Sequence, residues 1–280
     1  SRDLFTILEH ARAFYEAQLR QSSEKQLAVD YLKKRGLSGE IAKAFRLGFA
    51  PSGWRNLLDT LNAAGISEEQ AERAGLAIKR ERGGYYDRFR ERVMFPIHDR
   101  RGRVIGFGGR VIENGEPKYL NSPETEVFHK GRELYGLHEA LAANRKLGSL
   151  LVVEGYMDVV ALHQFGLPNV VATLGTAVTR EHLDLLFRQV PEVVFCFDGD
   201  AAGKRAAWRA LENALPLVEG NRAVRFAFLP EGHDPDSAVR EFGAEGFLKA
   251  ARQFGLADYL LDTLKLEVDL TTGDGRARLI

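Results

Sequence analysis

Glu154, the pair Asp198 and Asp200, and the pair Asp234 and Asp236 are the residues whose type and spacing could do chemistry. Asp198-Gly199-Asp200 sets two carboxylates close together with no side chain between them. Glycine lets such a loop turn sharply, so both carboxylates can face one ion. Asp234-Pro235-Asp236 is a stiffer version, because the proline fixes its own φ and biases Asp234 to an extended backbone. Mg²⁺ takes oxygen ligands, keeps several waters, and is usually held by one or two carboxylates plus substrate phosphates. Carboxylates converging at one place repel one another unless cations sit among them. Each piece alone has a plainer reading. Asp-Gly-Asp serves as a turn, or Asp200 as the N-cap of a helix from Ala201; Asp-Pro-Asp serves as a helix start; a lone Glu154 is a weak signal. Taken together, in this order, they point to a divalent-metal site.

Such a site needs a frame. From residue 148 the chain alternates apolar strands with helices: Ser149 to Val153, a helix from Tyr156, a strand at Asn169 to Ala172, a helix from Thr179, a strand at Glu192 to Phe197, a long helix from Ala201, and a strand at Arg222 to Phe228. Continuous apolar strands between helices imply a mostly parallel, buried sheet. Functional groups in an open α/β sheet collect at the carboxyl ends of its strands. Glu154 and Asp198 follow two of these strands directly, and Asp234 follows a third by a short loop. Upstream the texture differs. Residues 3–35 have helical spacing up to Gly36, a short helix is expected through Ala44, and Phe45 to Phe49 reads as a strand. Residues 53–64 and 67–74 read as helices, the second opened by a Ser67/Gln70 capping box. Residues 76–120 look like strands joined by turns at Gly83-Gly84, Asp99 to Gly102 and Asn114-Gly115. The tail from about 243 reads as helical and runs into Gly273 to Ile280. The expected class is α/β: a mostly parallel sheet flanked by helices, preceded by a mixed α+β subdomain and followed by a short helical segment. The expected boundaries are 1–147, 148–239 and 240–280.

The 280 residues are 45% hydrophobic and 28% charged, which suits a globular chain of about two domains. No apolar run approaches the length of a membrane span, and Ser1-Arg2-Asp3-Leu4 has no apolar signal core. The single cysteine, Cys196, lies in an apolar run and reads as a buried, inert thiol. It can form neither an intrachain disulfide nor a Cys-rich zinc site, and it fits a reducing, cytoplasmic compartment. The formal net charge is zero, yet between Lys79 and Arg110 ten basic residues face four acidic ones. That stripe suits a polyanion, or is simply a solvated face. Arg88, Arg90 and Arg92 alternate with Phe89 and Val93, which in a strand puts the arginines on one face, although Asp87 and Glu91 blur the other. Phe89 and Tyr119 could stack on bases, though an aromatic in a strand is more often core.

The acidic segments, written out as Val153-Glu154-Gly155-Tyr156-Met157-Asp158, Phe197-Asp198-Gly199-Asp200-Ala201-Ala202-Gly203 and Asp234-Pro235-Asp236, resemble the Toprim domain of bacterial primases, topoisomerases and some nucleases. Tyr86 to Ile97, Gly106 to Arg110, Pro117 to Thr125, Phe128 to Arg132 and Leu134 to Leu137 resemble the core of bacterial DNA primases of the DnaG type. That resemblance covers most of residues 5–260. It implies a Rossmann-like Toprim fold and a DNA-directed RNA polymerase that makes short primers on single-stranded DNA by nucleotidyl transfer. It implies Mg²⁺, with Mn²⁺ as a substitute, on Glu154, Asp198, Asp200, Asp234 and Asp236. Glu154, Asp198 and Asp200 would be catalytic, with Glu154 a metal ligand or a proton relay, and Asp158 a residue that orients a neighbour or caps its helix. Arg35, Arg110, Lys118, Tyr119, Asn121 and Lys130 would contact nucleotide or template. NTPs and template DNA are the implied ligands of a monomeric core in the bacterial cytoplasm. The longer protein would add a zinc-binding module before this segment and a helicase-interacting region after it, with the replicative helicase and single-strand-binding protein as partners. The rival readings are a Toprim nuclease or topoisomerase, a Toprim module that only binds DNA, and a glycosyltransferase-type Asp-x-Asp site. Gly106-Phe107-Gly108-Gly109 is no dinucleotide fingerprint, because strand-like Arg110-Val111-Ile112 follows it.

Overall fold

The computed structural model describes residues 2–144 and 146–267. Its first half opens with the helices α1 (Arg2–Gln21), α2 (Lys25–Lys34) and α3 (Gly39–Ala44). Strand β1 (Gly48–Ala50), helices α4 (Asn56–Ala63) and α5 (Glu68–Arg73), and the hairpin β2 (Ala77–Lys79) and β3 (Tyr85–Asp87) follow. Then come β4 (Arg92–His98), β5 (Val104–Val111) and β6 (Tyr119–Asn121). An antiparallel sheet forms in the order β1-β4-β5-β6. The capping box at α5 is present: the Ser67 hydroxyl accepts from the Gln70 N–H, and the Gln70 side chain accepts from the Ser67 N–H.

A short helix, α6 (Leu137–Ala143), leads to the alternating half. Its elements are β7 (Ser149–Val153), α7 (Tyr156–Gln164), β8 (Val170–Ala172), α8 (Arg180–Phe187), β9 (Glu192–Phe197), α9 (Ala201–Ala214), β10 (Ala223–Phe228), α10 (Pro235–Ala250), β11 (Arg252–Gly255) and α11 (Leu256–Glu267). The sheet order is β11-β10-β9-β7-β8, parallel throughout except for β11 on β10. Val193, Phe195, Val152 and Val171 are buried, as strands covered on both faces require.

The two halves share one core. The ring of Tyr156, at the start of α7, stacks on Phe95 of β4 at 5.3 Å and meets Tyr135 edge-on at 4.8 Å. Gly108 of β5 makes room for it, since a Cβ there would lie 2.3 Å from the Tyr156 ring.

Several local expectations give way to tertiary contacts. The chain at 88–91 is not a strand, and Glu91 turns it with φ 52°. The three arginines therefore do not alternate along a strand, although all three line one cavity. Arg88 reaches in to the Asn121 carbonyl at 2.8 Å, Arg92 is buried and donates to the Gly109 carbonyl at 3.2 Å, and Arg90 stays with the surface aromatics described below. Phe89 is fully buried core and cannot stack on a base. The expected strand at Phe45 begins only at Gly48. The expected helical tail contains the edge strand β11, which pairs Arg252 to Gly255 with β10. Gly273 to Ile280 lies outside the described residues.

Candidate active site at the ends of the parallel strands

The three acidic segments meet where β7, β9 and β10 end. Glu154 follows β7, and burial followed by the charge of Asp200 pushes its pKa up. Asp198 follows β9 and is pushed up to about 6 by burial, then by Glu154, Asp234 and Asp200. Asp200 N-caps α9, its Oδ1 accepting from the Gly203 N–H at 2.7 Å. Asp234 caps α10 in the same way, its Oδ1 accepting from the Ser237 N–H at 2.7 Å. The cap and metal readings of these two aspartates are compatible, because a carboxylate has two oxygens and a cap uses one.

Behind them lies Asp158, in the first turn of α7. Burial, then Asp234, pushes its pKa up to about 8. Its Oδ2 accepts from the Gly155 N–H at 3.2 Å and its Oδ1 from the Asp236 N–H at 3.1 Å. Cys196 is buried beside this group, and burial drives its thiol far above the ordinary range, so it is inert.

A cavity of about 340 Å³ opens in front of the acids. Glu154, Asp158, Asp198 and Asp234 line it together with Arg35, Arg110, Lys118, Tyr119 and Asn121. The Arg110 guanidinium lies 5.4 Å from the Tyr119 ring and 5.5 Å from the Tyr31 ring, and the Lys118 ammonium sits 5.9 Å from Tyr119. The buried Nε atoms of Arg35 and Arg110 and the Tyr31 hydroxyl have no hydrogen-bond partner among the described residues.

Not every expected residue comes to this cavity in the expected way. Asp236 is buried and spends both carboxylate oxygens on arginines, Arg35 at 2.7 Å and Arg240 at 2.8 Å. Arg35 lines the cavity but commits one Nη to that pair. Asn121 acts as a tie: its amide donates to the Leu174 carbonyl at 2.9 Å and its Oδ1 accepts from the Tyr156 hydroxyl. Lys130 lies off the cavity lining, its N–H bonded to Glu124 at 2.9 Å. Asp200 also lies off the lining, although its charge is felt by both Glu154 and Asp198. Among the described residues, no three His, Cys, Asp or Glu side chains form a ready ligand set.

Part of the basic stretch gathers around an exposed tryptophan that the sequence reading did not single out. Trp54 is 53% exposed in the loop before α4, with the Arg90 guanidinium 3.6 Å from its ring. Arg80 lies 5.4 Å from both Trp54 and Tyr86. A second cavity of about 350 Å³ adjoins Tyr86, Arg88 and Arg90. Arg80 and Arg90 fall in the basic stretch between Lys79 and Arg110, whereas nothing in the sequence pointed to Trp54.

Residues 14–141 match the family described as DNA primase catalytic core, N-terminal domain, and residues 148–227 match the Toprim domain. A DNA primase of Pseudomonas putida is 56% identical over 279 residues, which make up 99% of this chain and 42% of that protein. The chain thus spans less than half of that relative's length. The crystal structure of a DNA primase domain from Pseudomonas aeruginosa has a TM-score of 0.94 at 54% identity, covering 99% of this chain and 87% of that one. The structure of the DnaG primase catalytic domain bound to ssDNA has a TM-score of 0.92 at 50% identity, covering 99% and 90%. On this likeness over nearly its whole length, the chain belongs to the DnaG family of DNA primases and carries their catalytic core.

Proposed function

We propose that this chain joins ribonucleoside triphosphates into short RNA primers on a single-stranded DNA template, using Mg²⁺, or Mn²⁺ in its place. One observation carries the reading: a single cavity lined both by Toprim carboxylates and by arginine and lysine. The donor set suits a hard cation, since it is all carboxylate oxygen, and burial followed by the neighbouring carboxylates raises Asp198 and Glu154. Glu154, Asp198, Asp200 and Asp234 would hold the metal, with waters and substrate phosphate completing its shell. When bound, the metal supplies charge neutralisation at the phosphates and lowers the pKa of the attacking hydroxyl.

The reaction joins a 3′-hydroxyl to the α-phosphate of the next NTP, with pyrophosphate leaving. Positioning and charge stabilisation then dominate the protein's part. Arg110, Lys118 and the remaining donors of Arg35 grip the triphosphate. Tyr119, 39% exposed, offers a ring beside them for a base. Glu154 would bind the metal or relay the hydroxyl proton. Asn121 keeps the two halves of the chain in register. Lys130, off the lining, adds positive potential along the approach. The template runs over Trp54, Tyr86, Arg80 and Arg90, where rings stack and guanidinium groups meet phosphates without reading sequence. In this reading residues 1–147 grip template and nucleotide, 148–239 hold the metal, and the described part of the segment 240–280, up to Glu267, closes the fold. The whole protein would act in the bacterial cytoplasm with the replicative helicase and single-strand-binding protein.

The test is labelled-NTP incorporation on single-stranded DNA with Mg²⁺, comparing wild type with Asp200→Asn. Asparagine retains the cap of α9 and removes the charge. Product should fall at least about a hundredfold at an unchanged melting temperature, of the order seen when charge stabilisation is lost. Near-wild-type yield would remove the acids from the mechanism.

A further inference from the structure

We infer that Arg35, Asp236 and Arg240 form a clamp that positions the reacting carboxylates, and that Asp236 acts through its two arginines and not as a metal ligand. The inference rests on the reading of the cavity given above. Asp236 is 4% exposed and absent from the cavity lining, whereas Asp234, two residues earlier, lines it. Its Oδ2 accepts from Arg35 Nη2 at 2.7 Å and its Oδ1 from Arg240 Nε at 2.8 Å. These are short, charge-assisted bonds to a buried group. Turning this carboxylate to a cation would strip two guanidinium groups of their counter-charge.

Gly36 has φ +68°, and a Cβ there would stand 2.3 Å from Arg240 Nη1. Glycine meets both demands, the left-handed backbone and the close guanidinium. The clamp thus pins the end of α2 to the first turn of α10, although Arg35 and Asp236 are 201 residues apart in sequence. On the Toprim side the network runs on towards the acids. The Asp236 N–H donates to Asp158 Oδ1 at 3.1 Å, and Asp158 Oδ2 accepts from the Gly155 N–H at 3.2 Å, next to Glu154. Asp234 starts the helix that carries Asp236. One network therefore fixes the Glu154 and Asp234 segments relative to each other and to Arg35 at the end of α2.

Wild type, Arg240→Gln, Asp236→Asn and the double variant are compared for primer synthesis, as kcat and NTP KM, and for Mn²⁺ binding by calorimetry. Residues that orient ligands from behind typically matter by about 10- to 100-fold. Arg240→Gln should therefore lower kcat about tenfold or more while the protein still melts cooperatively. Adding Asp236→Asn to it should change kcat and Mn²⁺ affinity by less than about threefold, because the two residues act as one unit. A further loss of about tenfold or more in Mn²⁺ affinity would make Asp236 a ligand and overturn the clamp. Wild-type kcat in Arg240→Gln would overturn it equally. If Asp236→Asn does not fold, Arg240→Lys decides: activity clearly above that of Arg240→Gln supports a charge-dependent clamp, and activity no better refutes it. A wild type that makes no primer would sink the polymerase reading alone, since the Mn²⁺ titrations still judge the clamp.

Discussion

Asp87 shows how much of a residue's role depends on what surrounds it. In sequence it interrupts an apolar alternation and looks like surface charge. In the structure it is 2% exposed and accepts from the Leu57 and Leu58 N–H groups at 2.8 and 3.0 Å, capping α4 from a distant strand. Burial is the largest influence and pushes its pKa up to about 6, although both N–H bonds pull the other way. A carboxyl whose folded pKa lies above its unfolded value near 3.9 binds its proton more tightly in the folded state. Its contribution is therefore most favourable with the proton on, and is lost as pH rises from about 4 through 6. The stability of wild type relative to Asp87→Asn should fall by about 2 kcal/mol between pH 4.5 and 7.5, in melts followed across that range. A difference that stays flat with pH would mean that the helix N-terminus fully offsets burial. The acids at the strand ends were legible residue by residue, because short carboxylate motifs carry their chemistry in their spacing. Asp236 was legible as an acid but not as the partner of Arg35, because no spacing rule links residues so far apart in the chain.

At the scale of elements, α9 must start hard against the end of β9 if Asp198 and Asp200 are to share a site. Gly203 permits this: a Cβ there would stand 2.1 Å from the Asp198 carbonyl oxygen. Gly203→Ala should force the helix away, destabilise the protein by about 1–3 kcal/mol as overpacking does, and weaken Mn²⁺ binding alongside. A stable Gly203→Ala protein with unchanged Mn²⁺ affinity would show that the helix start can shift freely. The βα alternation was legible because buried parallel strands read as continuous apolar runs, and the α5 capping box because its two bonds are local. Strand β11 was not legible. Arg252-Gln253-Phe254-Gly255 has no strand pattern of its own and is held by pairing with β10. The turn at 88–91 was missed for the converse reason, since a strand-like alternation yields to contacts made by Arg88 with β6 and Arg92 with β5.

Across the whole molecule, the cavity exists because two halves of different architecture pack through one core, with Tyr156 reaching from the parallel half to Phe95 of the antiparallel one. On the antiparallel half, the Arg90 guanidinium lies over the Trp54 ring. Arg90→Ala should weaken single-stranded DNA binding and reduce its salt slope by about one, while Trp54→Ala should weaken it by about 1–3 kcal/mol with the slope unchanged. Fluorescence titrations at several salt concentrations separate the two, and unchanged affinity in both variants would move the template path elsewhere. The sequence by itself determined the parallel sheet, the three acidic strand ends and the basic stretch before them, because strand periodicity, caps and short motifs are written within a few residues of one another. Only the tertiary structure decided which basic residues face the acids, that Asn121 and Asp236 serve as ties, and that Arg90 lies on an exposed tryptophan. Those outcomes depend on contacts between distant segments, where burial and the pairing of charges select one arrangement from many that the local sequence allows equally.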